Sequence, residues 1–135
     1  MTKLTGYLIL ALVAPIQVVA QLEVTSAPLK YVGQKTVVPL ALKNDFTQTI
    51  TSARAAVFVS DERGKVVGQA SRWVIGGAPD KPGLEPKATN AFHFVITSNK
   101  PLESTNLIAK VMFTRLVLEG GKSVDPKKNV VIRER

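Results

Sequence analysis

The stretch VVPLALKNDFTQTITSARAAVFVSDERGKVVG, residues 37–68, decides the fold because its apolar residues alternate with the period of an extended strand. Val38, Leu40 and Leu42 fall on one face of the first strand in this stretch. A second strand, residues 49–60, contains AAVFV, which is apolar on both faces. Such a strand is expected at the centre of a sheet, with both faces covered or with one shift in phase.

A tight turn joins the second strand to the next one. Asp61 and Gly64 occupy the first and fourth positions of a type I turn, and Gly64 can supply the positive φ where the strands rejoin. The return strand is predicted over residues 65–75, with Gly68 marking a bulge. Trp73 lies in this strand and is expected to anchor it in the core.

The rest of the chain continues the same pattern. AFHFVIT (residues 91–97) alternates cleanly, and Glu119-Gly120-Gly121-Lys122 has the composition of a tight hairpin. No helix is predicted after the first twenty residues. The sequence therefore predicts an all-β fold, a seven-stranded antiparallel sandwich of the immunoglobulin or fibronectin III kind. The predicted strands cover residues 22–25, 36–44, 49–60, 65–75, 91–97, 106–118 and 123–133.

The run at residues 37–68, followed by LEPKATNAFHFVI, resembles the exported bacterial FxLYD-type, fibronectin III-like domains over about residues 36–97. Lys87 stands where that family usually has glycine, and Phe-Val-Ser-Asp at residues 58–61 replaces its Leu-Tyr-Asp. The resemblance implies an immunoglobulin-like fold and a non-catalytic module. It rests on Asn44, Asp61, Gly64, Lys65, Leu84, Pro86, Phe92 and Phe94.

The first twenty residues have the pattern of a secretory signal peptide. Lys3 gives a weakly positive start, an apolar core follows, and Ala20 supplies the small residue before the cleavage position. Cleavage would leave one immunoglobulin-like domain, residues 21–135, in the periplasm or outside the cell. The alternative is an uncleaved membrane anchor formed by residues 4–20, at the short end for a spanning helix. Membrane contact is expected only if residues 1–20 are retained.

The chain is basic and contains no cysteine. Its formal net charge is +8, and loss of the first twenty residues removes Lys3 and leaves 17 basic and 10 acidic residues, or +7. An exported protein with this excess meets acidic proteins, anionic polymers or lipids rather than nucleic acid. The alternative is that the charge only keeps the domain soluble. The candidate basic patch comprises Lys127, Lys128, Arg133 and Arg135.

The residues needed for common active sites are missing from the sequence. His93 is the only histidine and is predicted on the outward face of a strand, so three or four zinc donors cannot converge on it. There is no Gly-x-Ser-x-Gly motif and no calcium loop, and Gly-Gly-Lys-Ser at residues 120–123 lies between strands rather than before a helix. We therefore expect no enzyme activity, no metal or other cofactor and no small-molecule substrate.

Residues 76–90 form the one long irregular segment and are the candidate partner-binding loop. The alternative is a plain crossover between sheets, stiffened by its prolines. We expect an exported, non-enzymatic interaction or structural module, a subunit of a bacterial envelope or secreted assembly whose partner is another envelope protein. A basic-surface binder of anionic cell-surface polymers or lipids is the alternative function. The candidate loop residues are Gly76, Gly77, Asp80, Lys81, Leu84 and Lys87.

Overall fold

The computed structural model describes residues 21–98, 102 and 106–135, so the predicted signal peptide or anchor lies outside the described residues. Most of the described chain is extended. A 3-10 turn spans Glu119–Gly121, and one short helix, α1, spans Pro126–Asn129. The strands are β1 (Leu22–Ser26), β2 (Lys30–Val32), β3 (Lys35–Asn44), β4 (Ile50–Ser60), β5 (Val66–Ile75), β6 (Thr89–Thr97), β7 (Ile108–Leu118), β8 (Lys122–Ser123) and β9 (Val130–Glu134).

These strands form two sheets around one core. Sheet 1 has the order β6, β3, β1 and β9, and β2 pairs with β3 beyond the end of β1. Sheet 2 has the order β5, β4, β7 and β8. The all-β prediction is confirmed. The purely antiparallel, seven-stranded version is wrong, because the described chain has nine strands and β1 pairs with β9 in parallel.

The inward residues of β3, β4 and β6 build the core. Val38, Leu40 and Leu42 are buried, as their alternation predicted, and every second residue of β4 from Ala53 onward is fully buried. Phe94 of β6 is buried on the same side. Full burial of one large aliphatic or aromatic side chain is worth about 1.5–3 kcal/mol, so these inward positions are the main source of stability.

The turn between β4 and β5 has the predicted form. The Gly64 N–H donates to the Asp61 carbonyl at 3.0 Å, and Gly64 has φ 82°. Asp61 Oδ1 also accepts from the backbone N–H groups of Arg63 and Lys65, which fixes the turn. The predicted bulge near Gly68 is present, since the register between β4 and β5 shifts at Val67.

The last strand departs from its expected course. Residues 123–133 were expected to continue one sheet, but Asp125 caps α1 by accepting from the Lys127 N–H at 2.9 Å, and Pro126 begins the helix. This turn directs the chain to sheet 1, where β9 pairs with β1. Consequently β7 pairs with β8 only at its last two residues.

Candidate interaction surface

Hydrogen bonds from β3 and β4 fix the middle of the predicted partner-binding loop. Leu84 is buried and exchanges two backbone hydrogen bonds with Ile50, at 2.8 and 2.9 Å. Asn44 is fully buried and donates from Nδ2 to the carbonyls of Leu84 (2.8 Å) and Gln48 (2.9 Å). Its Oδ1 accepts from the Phe46 N–H at 2.8 Å. The loop is therefore part of the wall of the core.

The outer part of the loop contacts its immediate surroundings. Lys81 Nζ lies 5.8 Å from the centroid of the Phe92 ring, and Lys87 Nζ lies 4.0 Å from Asp45 Oδ1. Together with the anchored middle, these contacts favour a crossover between the sheets over a recognition loop. Of the six candidate residues, Gly76 and Leu84 are buried, whereas Gly77, Asp80, Lys81 and Lys87 are exposed.

The four residues of the predicted basic patch are divided between the two ends of β9. Lys127 and Lys128 lie in α1, before the strand, and Arg133 and Arg135 lie at its far end. A five-residue strand spans about 16 Å, so the four cations do not form one cluster. Arg133 is also paired with Glu23, with a nitrogen-to-oxygen distance of 3.1 Å.

Trp73 does not lie in the core, and that prediction is wrong. Its neighbour across the sheet is Arg54, and the guanidinium carbon of Arg54 lies 5.5 Å from the centroid of the indole ring. The register shift beside this pair makes Val74 an extra residue in β5. Val74 and Ile75 are both buried, which reverses the alternation and turns Trp73 outward.

Trp73 belongs to an uncovered surface that we define as the outer face of sheet 2. Alternate residues of β4 are fully buried, so the residues between them point away from the core. Their neighbours on β5 and β7 share that side of the sheet. The twelve residues form four rows, Val66–Ser60–Ile108, Gln69–Phe58–Lys110, Ser71–Ala56–Met112 and Trp73–Arg54–Arg115.

Half of the twelve residues on the outer face of sheet 2 are apolar, and several of them are open to solvent. Ile108 is 61% exposed, Val66 49% and Met112 42%, and the Phe58 side chain between them is half-buried. From strand and residue spacings the face covers roughly 400 Å². That area includes the polar and charged residues of the face, and exposed apolar side chains gathered on one face are a common feature of contact sites.

The charged residues of this face are all basic. Arg54, Lys110 and Arg115 are its three charged members, and none of them forms an ion pair with another described residue. The outer face of sheet 1 differs, because Glu23 there pairs with Arg133 at 3.1 Å. The outer face of sheet 2 thus combines apolar surface with uncompensated positive charge.

Reasoning from the sequence did not identify this surface, although one signal for it was present. AAVFV is apolar on both faces, and Phe58 in this run is the residue that points outward. The expectation that both faces of β4 are covered is not met within the described chain. A second layer could not be assigned from the sequence to any other segment, and this unmatched apolar face was the available clue.

Groups that could support other chemistry are sparse in the described part of the chain. His93 is exposed on β6, as predicted. Within residues 21–98, 102 and 106–135, no three His, Cys, Asp or Glu side chains are placed to share a metal ion. No helix of the described residues has the length and apolar character to cross a membrane.

No family model matches the chain, and no curated protein matches it. Among solved structures it is similar to the putative ApaA protein from Bordetella pertussis, with a TM-score of 0.59 and 15% identity, over 82% of this chain and 89% of that one. It is also similar to IrmA from Escherichia coli, with a TM-score of 0.51 and 10% identity, over 84% of this chain and 91% of that one. At these identities the likeness shows a shared fold alone.

Proposed function

We propose that the protein is an exported, non-enzymatic interaction module that binds an acidic protein of a bacterial envelope or secreted assembly through the outer face of sheet 2. The exposed apolar side chains of that face, with Ile108 61% exposed, are the observation that carries the proposal. The signal-peptide pattern of the first twenty residues supports export. The two-sheet arrangement and the resemblance to FxLYD-type domains support an immunoglobulin-like or fibronectin III-like fold.

Charge argues for an acidic partner. Arg54, Lys110 and Arg115 lie among the apolar residues and have no carboxylate beside them on the face. A partner that covers this face removes water from the three cations. The lost hydration is offset only if the partner supplies carboxylates. A second copy of the same face would instead oppose three cations with three cations.

The exposed apolar side chains of this face also distinguish the proposed protein partner from the anionic polymers of the alternative function. Anionic polymers and lipid headgroups offer phosphate, sulfate or carboxylate groups, and these interact with lysine and arginine. Polymers offer little apolar surface to cover Ile108 and Met112, whereas lipids would cover them only if the face entered the acyl region, which the vesicle measurement below tests. A folded acidic protein can pair with the cations and also cover the exposed apolar side chains.

The test compares two exposed apolar positions on opposite faces. Met112 lies on the outer face of sheet 2, and Val95, 48% exposed, lies on β6 in sheet 1. Tagged full-length Met112→Glu, Val95→Glu and wild type are purified from the source organism, and any partner is then reconstituted from pure components. We expect an acidic protein in about equimolar amount with wild type and Val95→Glu, and a loss of about ten-fold or more in affinity for Met112→Glu. Equal retention by the two variants would contradict the proposal.

Heparin resin and vesicles rich in phosphatidylglycerol test the alternative function. Binding that persists at about 150 mM salt and is lost in Lys127→Glu with Lys128→Glu, but not in Met112→Glu, would support the alternative and overturn the proposal. Flow-through of all variants at that salt would support the protein-binding proposal.

A further inference from the structure

The two sides of the sandwich, where the edges of the sheets meet, differ in how tightly they close. At one side β5 lies against β6, so close that a Cβ on Gly68 would lie 2.8 Å from Ile96 Cγ2 and 3.2 Å from Ser98 Oγ. At the other side β9 takes the outermost place in sheet 1, and β7 has β8 beside only its last two residues. The Val124 N–H also donates to the Leu116 carbonyl at 3.0 Å, and α1 contacts β7, so the stretch of this edge that lacks backbone pairing within the described residues is 108–113.

We propose that this open edge, residues Ile108–Phe113, accepts an extended strand from the acidic partner protein, which then continues sheet 2. The inference rests on the proposed function and names the way in which the partner binds. Among the described residues, no backbone group bonds to the edge of Ile108–Phe113 that faces away from β4. Six residues present about 20 Å of edge with N–H and C=O groups that a further strand can use.

The sequence of this edge supports pairing. IAKVMF, residues 108–113, has no proline or glycine and only one charge, and most of its residues suit a strand. The other described edges are less suited to strand addition. The β5 and β6 edges lie against each other on the closed side, β2 and β8 are very short, and β9 is five residues long and ends in Arg133 and Glu134.

A cleft lies at the start of the open edge, where β7 meets the ends of β1 and β9. It has a volume of about 360 Å³. A strand added beside β7 directs every second side chain toward the space between the sheets. An apolar side chain of the added strand can pack against Pro28, Leu29, Leu107 and Ala109 in this cleft, and the lining also includes Glu134 and Arg135.

Charge specifies the remaining side chains of the added strand. Residues 108–135 contain seven lysines and arginines and three acidic residues. Side chains that alternate with the inward ones lie on the outer face of sheet 2, where Lys110 stands between Ile108 and Met112, so an acidic side chain is favoured beside Lys110. The segment that fits therefore alternates apolar with acidic residues. Two copies of β7 paired about Lys110 would place like charges directly opposite each other, which opposes self-pairing in that register.

The experiment uses the full-length protein and a short synthetic peptide that alternates glutamate and valine. Matched peptides carry lysine for glutamate, or a central proline. We expect the glutamate peptide to bind about ten-fold or more tightly than either control and to slow amide hydrogen exchange at residues 108–113 but not along β5. Lys110→Glu should weaken binding about ten-fold, whereas Arg72→Glu, exposed on the opposite edge strand, should not.

Several outcomes would overturn strand addition. They are equal binding of the lysine peptide, slowed exchange along β5 instead of β7, a protein dimer paired through β7, and residues 108–113 already protected in the free full-length chain. A native acidic partner that shields Met112 from covalent labelling without slowing exchange at residues 108–113 would also overturn it, while the proposed function would stand. If the partner neither shields Met112 nor slows exchange at residues 108–113, both proposals are contradicted.

Discussion

The crossover loop at residues 76–90 and the outer face of sheet 2 present a contrast between irregular backbone and open surface. Glycine and proline make the loop irregular, yet Asn44 and Ile50 hold its middle to β3 and β4. The outer face is regular β structure, but within the described chain its apolar side chains, such as Ile108 and Met112, remain exposed. The comparison teaches that irregular backbone alone does not identify a binding site, because buried hydrogen bonds can fix a loop more firmly than a strand edge is fixed.

The largest expected effect tests how rigid the loop is. Gly76 and Gly33 both have φ 62°, but a Cβ at Gly76 would lie 2.1 Å from the Thr51 carbonyl oxygen, whereas a Cβ at Gly33 would have nothing within 4 Å. We expect Gly76→Ala to lower the free energy of unfolding by about 3 kcal/mol or more, and Gly33→Ala by about 1 kcal/mol. Urea denaturation measures both. Equal losses in the free energy of unfolding would mean that the loop backbone shifts to accommodate the methyl group at Gly76.

A second change removes the loop's main anchor. Asn44→Ala deletes three side-chain hydrogen bonds and leaves the Phe46 N–H without its Asn44 acceptor. We expect a loss of about 2–3 kcal/mol in the free energy of unfolding. Asn90→Ala is the control, because Asn90 is exposed and its Oδ1 accepts from the adjacent Ala91 N–H, and its effect should stay within about 0.5 kcal/mol. A small effect at both positions would show that Asn44 does not anchor the loop.

A third change should stabilise the loop. Lys87 has φ 67°, a conformation that glycine adopts without strain. Lys87→Gly should raise the free energy of unfolding by about 1 kcal/mol. Lys81→Gly, in the same loop but without a positive φ, should leave it unchanged or lower it. Thermal melts of the two variants would contradict this account if Lys87→Gly were the less stable.

The smallest effect on stability belongs to the outer face of sheet 2. Ile108→Ser and Met112→Ser should each change the free energy of unfolding by only about 0.5 kcal/mol, because both side chains are exposed. The same substitutions should reduce partner binding by about ten-fold or more. Calorimetric unfolding and binding measurements on the same samples separate the two effects. Destabilisation comparable to that of a core substitution would assign these residues a structural role.

Local patterns predicted much of the fold. The inward face of β3 and the Asp61–Gly64 turn depend on residues close in sequence, and both agree with the structure. The side on which Trp73 lies depends on a bulge at Val74, and the path of β9 depends on where the chain goes after α1. Those outcomes are decided by pairing between distant strands, which alternation along one strand does not specify.

The difference between local patterns and pairing of distant strands also explains why the sequence did not predict the candidate site. Sequence composition directed attention to residues 76–90, because glycine and proline are visible in any single stretch. The outer face of sheet 2 is assembled from β4, β5 and β7, and its members become neighbours only through the register of those strands. Phe58 was the one local hint, as an outward residue in a strand with two apolar faces.

Site-specific photocrosslinking in the source organism tests the central claim most directly. A photoreactive amino acid replaces Met112 on the outer face of sheet 2 or, in a separate full-length variant, Asp80 on the exposed part of the crossover loop. We predict that position 112 forms a covalent adduct with one acidic protein and that position 80 forms none. An adduct from position 80 with none from position 112 would contradict the account.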